Sequence, residues 1–596
     1  MLLGGIDWII IAFFFVIILL IGFLAARQGG KSSTDFFLSG RSMPFWLLGI
    51  SMVATTFSTD TPNLVTDLVR THGVAGNWLW WAFLLTGMLT VFVYTKLWRR
   101  SNVMTDIEFY EIRYDGKAAA FLRGFRAVYL GVFFNVMIMA TVSLAAIKIG
   151  GVLLNISPIK TISIALLITV LYAAAGGLRS VLFTDFFLFT FAMLGSIAAA
   201  VVACNLPQVG GLAGLFAHQN VAGKLNLLPD FSDPNMLIPV LIIPIAVQWW
   251  SVWYPGAEPG GGGYLVQRML SAKNEEHAMG ATLLFNAAHY AMRPWPWIIV
   301  ALASLVVFPD LATLQAKFPH IDPRIIKNDL AYPAMLTFLP HGLLGIVIAS
   351  LIAAYMSTMA SHLNWGSSYV VNDVYRRFIK PHAPEKELVN VGRISTVALM
   401  LIAGAIALWL QNALQAFHIL LQIGAGTGLI FILRWFWWRI NAYTEITGMV
   451  VSFIIAVYFE FFHAKLGFPL PPAHIRLVIG VAITTAAWLI VTLLTKPAKQ
   501  ETLLNFYRLV RPGSKGWDKV LEIAEQSGEK IDRRAKPGDL PLGILCMFAG
   551  VFAVYSTLFA VGFYLYLQFM PAIVCTIVAA ISIFYLTKTW KKLEMK

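Results

Sequence analysis

The stretch "VATTFSTDTPNLV", Val53–Val65, decides how the chain is read. It lies within a segment, Phe45 to Val69, that is otherwise apolar and long enough to cross a bilayer. Its middle nonetheless holds Thr55, Thr56, Ser58 and Thr59, then Asp60, Thr61, Pro62 and Asn63. A charge at mid-depth costs about 2.5–3.5 kcal/mol on insertion scales, so it needs a partner or water. Proline interrupts the helix and frees backbone carbonyls, which are tolerated at this depth only where protein surrounds them. A break around Asp60–Pro62 is therefore expected to line a solute or cation site.

The rest of the chain supports that setting. Of its 596 residues, 58% are hydrophobic and 12% charged, and the mean hydropathy is +0.74. A soluble protein of this size would leave too much of that surface wet. The apolar runs are continuous rather than alternating, which excludes a β-barrel and predicts an all-α polytopic membrane protein with about 15 transmembrane helices. The net charge of +14 is concentrated in alternate connections, such as Lys96–Arg126, Arg376–Arg393 and Lys496–Lys536. That is the positive-inside pattern of a cell-membrane protein, not the footprint of nucleic-acid binding. "MLLGGID" carries no basic residue before the first span, whereas Arg27, Lys31 and Arg41 follow it. The first span is thus expected to be uncleaved, with the N-terminus outside and the basic C-terminal "KKLEMK" in the cytoplasm. Cys204, Cys546 and Cys575 have neither metal nor redox spacing.

A second span, "PIAVQWWSVWYPGAEPGGGGYLVQR", is interrupted by Pro255, Gly256, Pro259 and Gly260–Gly263. Four intact spans separate it from the first. Two Gly/Pro-interrupted helices in equivalent positions are the signature of two inverted repeats whose broken helices meet at the substrate. The expected layout is an extra N-terminal helix and loop (1–44), a repeat core (45–440) and two accessory helices (441–495). A basic cytoplasmic loop (496–540) and two C-terminal helices (541–596) follow. Within that loop "ETLLNFYRLV" is amphipathic and is expected at the cytoplasmic surface.

At the first break, Ala54 and Phe57 are placed to offer carbonyl oxygens to a small cation. In "IAAYMSTMASHLNWGSSYVVNDVYRR", Ser357 and Ser361 share a helical face with Thr358 beside them. These hydroxyls either complete that site or bond back to their own helix. Solute contacts are expected from Thr56, Ser58 and Asp60 on one side. On the other stand Gln248, Trp250, Trp253 and Glu258, with Trp80 or Trp81 as a wall. Asp60 either meets a polar or cationic solute or starts the second half-helix, where Pro62 two residues later fits. His289 and His362 lack a second ligand at metal spacing and are read as packed or hydrogen-bonded. The run Gly260–Gly263 lacks the Lys-Ser/Thr of a phosphate cradle.

Several phrases together resemble the sodium:solute symporter family: "DFFLSGRSMPFWLLGISMVATTFS", "GGLRSVLFTDFF", "YLVQRMLSAKNEEHA", "RPWPWI" and "AAYMSTMASHLNWGSSYVVNDVYRR". They occur in family order over roughly residues 35–495. The resemblance implies a LeuT-type five-plus-five inverted repeat preceded by one helix. It also implies a sodium site formed by the carbonyls of Ala54, Phe57 and Ala354 and the hydroxyls of Ser357 and Thr358. Asp185 and Ser361 would correspond to a second sodium site or the sodium exit, but Ala360 stands where a further serine is found in members with two sodium ions. Another reading of Asp185 is a structural pair with Arg179. The implied function is sodium-coupled import of a small polar solute, such as a sugar, amino acid or carboxylate, by alternating access. A transporter-fold solute sensor with little flux is the second reading. No nucleophile–base pair or metal motif points to an enzyme, and no repeated filter sequence points to a channel.

Overall fold

Proline at position 62 has no N–H for the carbonyl of Ser58 and its ring crowds that carbonyl, so the helix must open upstream of it. The structure, a computed structural model, shows this directly. It describes residues 3–26, 32–252, 258–321, 323–410, 424–528 and 539–593. Helix α1 (Gly5–Ala26) precedes α2 (Phe45–Thr55), and α3 (Asp60–His72) resumes after four unwound residues, Thr56–Thr59. The break thus lies just before the expected Asp60–Pro62, and Pro62 sits in the first turn of α3, where a missing donor is harmless.

Four spans follow. They are α4 (Val74–Ser101), α5 (Gly116–Leu154) and the two arms of α6 (Pro158–Cys204), which folds back at Gly177. Helix α7 (Pro234–Trp250) ends at the second break, and α8 (Gly263–Ser271) leaves it. Next come α9 (Glu275–Val307), α10 (Leu343–Ile379) and α11 (Glu385–Trp409). The chain closes with α12 (Ala442–Phe462), α13 (Ala473–Leu494), the short α14 (Gln500–Val510) and α15 (Asp518–Gln526), then α16 (Asp539–Leu565) and α17 (Phe569–Trp590). Among the described residues eleven helices are long and apolar enough to cross a membrane, and three shorter apolar ones accompany them. The expected count of about 15 includes a span beginning near Phe417, which lies partly outside the described residues.

Helices α6 and α10 pack most extensively, and α1 lies against both. Helix α2 packs on α6, α9 and α10, so the first break is enclosed by protein. One end of the molecule gathers the basic connections, joined by the ion pairs Arg100–Glu275 (2.9 Å), Arg123–Asp373 (2.7 Å) and Arg377–Glu111 (2.7 Å). There the start of α2 is tied to the end of α8: the Met43 amide donates to the Ser271 carbonyl at 3.1 Å, and the Lys273 amide to the Met43 carbonyl at 3.2 Å.

The amphipathic segment forms α14. The apolar face of α14 is turned onto the protein, where Phe506 packs edge-on against Phe109 (5.6 Å) and stacks with Trp517 (5.6 Å). An aromatic shelf from other segments supplies the cover that a lipid surface would otherwise give. All three cysteines are free.

The turn at Gly177 has φ +57°, and a Cβ there would lie 2.5 Å from the Phe36 carbonyl oxygen. Left-handed backbone strains any L side chain by about 1–2 kcal/mol before that clash is added. Gly177→Ala is expected to lower the thermal midpoint of the purified protein by several degrees. Gly151→Ala, whose Cβ meets nothing within 4 Å, should leave it unchanged in the same assay.

Candidate functional site

The end of α2 leaves a row of carbonyls with no next helical turn to bond them. Several find donors on other helices. The Thr358 hydroxyl of α10 donates to the Thr55 carbonyl at 2.9 Å and stands 3.4 Å from that of Phe57. The Arg293 guanidinium of α9 donates to the Thr56 carbonyl at 2.7 Å and reaches that of Val53 at 3.4 Å. The Ala54 carbonyl receives only the amide of Phe57, at 3.1 Å. Ala54, Phe57, Ala354, Ser357 and Thr358 are all buried, and Thr358 bridges the break to α10. The donor set is entirely oxygen, three carbonyls and two hydroxyls, which suits a hard cation such as sodium.

Behind that group lies a polar cluster. Asp185 accepts from Ser357 (2.7 Å) and, through its other oxygen, from Ser51. Because the Ser357 proton points at Asp185, its lone pairs are free to face the break. The cation beside Asp185 is Arg268 of α8, at 3.7 Å. Its guanidinium also donates to Ser51 (2.9 Å), Thr55 (3.2 Å) and Ser361 (2.5 Å). A guanidinium therefore fills the pocket of hydroxyls that Asp185 and Ser361 form.

On the other side of the break is a cavity of about 170 Å³. Thr56, Ser58, Asp60 and Trp80 line it, as sequence reasoning expected, together with His289, Tyr290, Arg293, Thr358 and His362. Trp80 stacks on Tyr290 with ring centres 5.8 Å apart and planes 24° apart, forming a flat aromatic wall. Its indole nitrogen donates to Asn77 at 2.9 Å. Both histidines are held by hydrogen bonds: His289 by Thr56 (3.0 Å) and Arg293 (3.0 Å), His362 by Asn135 (2.6 Å). Arginine can only donate, so Nε2 of His289 accepts and its Nδ1 carries the proton toward Thr56.

Asp60 and Ser58 differ from these. Asp60 starts α3 and reaches the cavity with no cation in ion-pair distance among the described residues; Arg293 is the charge whose field reaches it. Arg70, near the end of α3, is engaged with Ser304 and Asn328. The Ser58 hydroxyl is buried and faces the same space, where it interacts with the Asp60 carboxylate.

Three expected solute contacts stand elsewhere. Gln248 turns to the Leu79 carbonyl (2.6 Å) and does not line the cavity. Trp250 donates to Ala246 (2.9 Å) and packs toward Ala425, Leu477 and Val481. Glu258 forms a buried ion pair with Arg126 of α5. The reason lies in the glycine run: Gly260 and Gly261 take φ of +85° and +96°, which lets the Gly260 carbonyl accept from Trp98 at 2.8 Å. This draws the backbone, and Glu258 with it, toward the basic end. Trp253 lies outside the described residues.

Sequence reasoning missed Arg268 and Arg293 as organising groups. The signal was present, since each is a lone cation inside an apolar span, in "YLVQRML" and "HYAMRPWPWI".

The sodium:solute symporter family model matches residues 36–452. The chain belongs to that family. It is therefore placed among sodium-coupled symporters, which are transporters and not enzymes. It is 27% identical over 481 residues to a sodium/glucose cotransporter of Vibrio parahaemolyticus, covering 78% of this chain and 86% of that one. It is also 27% identical over 458 residues to sodium/myo-inositol cotransporter 2 of Mus musculus, covering 71% and 65%. Its fold matches a Na+-coupled sialic acid symporter in a substrate-bound outward-open state, with a TM-score of 0.65, 21% identity and coverage of 83% and 99%. The fold is thus LeuT-type. The family match runs through the first break, α9 and α10, which line the cavity and the carbonyl row.

The Arg293 fork predicts a stability effect. Arg293→Lys removes the second donor arm and leaves buried carbonyls or His289 unpaired, each worth about 1–3 kcal/mol. The thermal midpoint should fall by several degrees, and solute affinity should weaken with it.

Proposed function

We propose that this symporter imports a small, polyhydroxylated, uncharged solute of the sugar or cyclitol class, driven by sodium. The observation that carries this reading is the pair Asp60 and Ser58, a carboxylate and its neighbouring hydroxyl that both face a cavity walled by stacked Trp80 and Tyr290. Vicinal hydroxyls supply donors to such acceptors, and a saturated ring lies flat against such a wall. An anionic solute is disfavoured, because Asp60 repels it and the Arg293 fork is occupied by carbonyls. The names of the two relatives above, which carry glucose and myo-inositol, support the same class.

Sodium is assigned to Ala54, Phe57, Ala354, Ser357 and Thr358. Bound there, it ties the end of α2 to α10, and the residues that follow on α2, Ser58 and Asp60, are those that meet the solute. Each ligand thus raises the affinity of the other. Inward flow of one sodium ion through a potential of 100 mV supplies about 2.3 kcal/mol for uptake. Arg268 already neutralises the Asp185 cluster and Ala360 removes a hydroxyl from it, so the reading is one sodium per solute. The membrane is the cell membrane, with the basic end in the cytoplasm.

The test is uptake of radiolabelled monosaccharides and inositols into proteoliposomes carrying the purified protein. A sodium gradient should drive accumulation and a potassium gradient should not. Ser357→Ala and Thr358→Ala should each raise the half-saturating sodium concentration at least tenfold; unchanged values in both would remove the sodium assignment. Asp60→Asn should weaken solute binding 10- to 100-fold, the loss of a hydrogen bond to a charged group. Binding without flux would favour a solute sensor, and preference for an aminated analogue would move the substrate class to cations. The sodium Hill coefficient should stay near one in both the wild type and Ser361→Ala.

A further inference from the structure

A second cavity, about 220 Å³, lies behind the first break, on the side away from the solute. Its walls come from four helices: Ile11 and Phe15 of α1, Ile149 and Leu153 of α5, Ile168 of α6 and Ile352 of α10. Three hydroxyl groups border it, and each is already bonded within the protein. Thr59 donates to the Val142 carbonyl (3.2 Å), Thr161 to that of Ser157 (3.2 Å), and Tyr355 pairs with Ser143 (3.0 Å). Among the described residues nothing here offers water or a polar solute the two to four partners it needs, and an apolar space of this kind stays dry.

The cavity is not sealed. Trp8 and Ile164 stand at its rim with 47% and 53% of their surfaces exposed. Both belong to outward-facing helices of the membrane-spanning body, so the surroundings continuous with the cavity are lipid hydrocarbon. Trp8 lies one turn into α1, and Ile164 less than two turns into α6, whose start carries the exposed Lys160. The rim is therefore near the depth of lipid headgroups, where tryptophan and lysine commonly sit.

We propose that this cavity is a binding site for one acyl tail of a bilayer phospholipid, entering between α1 and α6 with its headgroup near Lys160. The tail fills packing that the protein itself omits between α1, α5, α6 and α10. It abuts Thr59 in the first break and Met356, the neighbour of Ser357, so a lipid lies directly behind the residues assigned to sodium.

The experiment uses the full chain in vesicles of phosphatidylcholine and phosphatidylglycerol containing a phospholipid with a diazirine at mid-chain. After photolysis, peptide mass spectrometry maps the labelled residues. Label is expected on the inner wall, at Ile168, Ile352 or Met356, and excess unlabelled phospholipid should suppress it. Ala146→Phe and Ala165→Phe fill the cavity from opposite walls, and either should reduce inner-wall labelling at least fivefold while leaving the exposed Leu167 labelled. Should neither variant fold, the wild-type map decides alone. Label confined to exposed side chains overturns the proposal. So does inner-wall label that survives filling, or label displaced by cholesterol or free fatty acid but not by phospholipid.

Discussion

The carbonyl oxygens of Val53 to Phe57 must be bonded at a depth where no bulk water reaches them, and much of the structure answers that demand. A helix ending in solvent leaves its last carbonyls to water; here each is met by protein. Arg293 takes that of Thr56 and joins the Thr56 hydroxyl at that of Val53, Thr358 takes that of Thr55 and leans toward that of Phe57, and Ala54 accepts from the Phe57 amide. A carbonyl oxygen has two lone pairs, so Ala54 and Phe57 retain capacity. That residual capacity is what a hard cation can use, and it exists because α9 and α10 satisfy the rest.

The interior charges follow the same logic. Arg268 lies among the hydroxyls around Asp185, Arg126 is paired with Glu258, and Arg293 is bound to the carbonyl row. Buried charges of this kind persist only when paired and hydrogen-bonded. Asp60 has the Ser58 hydroxyl and the field of Arg293 in place of a contact ion pair, and it faces the polar cavity. The break thus separates two spaces of opposite character: a polar one holding the Asp60 carboxylate, and an apolar one in which the hydroxyls of the described residues are already bonded.

Much of this was legible in the sequence, residue by residue. Pro62 announced the break, although the unwound residues fall N-terminal to Asp60 because a proline disturbs the turn before it. Ser357, Thr358 and Asp60 could be singled out because hydroxyls at helical spacing and an acid in an apolar span are local facts. Gln248, Trp250 and Glu258 could not be oriented, because their directions depend on how the glycine run settles against Trp98 and on which wall α13 presents. The amphipathic face of α14 was visible, but whether lipid or the shelf of Phe109 and Trp517 would cover it was not.

By itself the sequence determined the helical class, the membrane setting, the two interruptions and the family, because hydropathy, proline and glycine act over a few residues. Only the tertiary structure decided which donors meet the freed carbonyls, that Arg268 rather than Arg179 accompanies Asp185, and that Glu258 leaves the cavity for Arg126. Those outcomes depend on pairings between residues 83 to 303 positions apart. No local pattern encodes such distances, and they are set only when the helices pack.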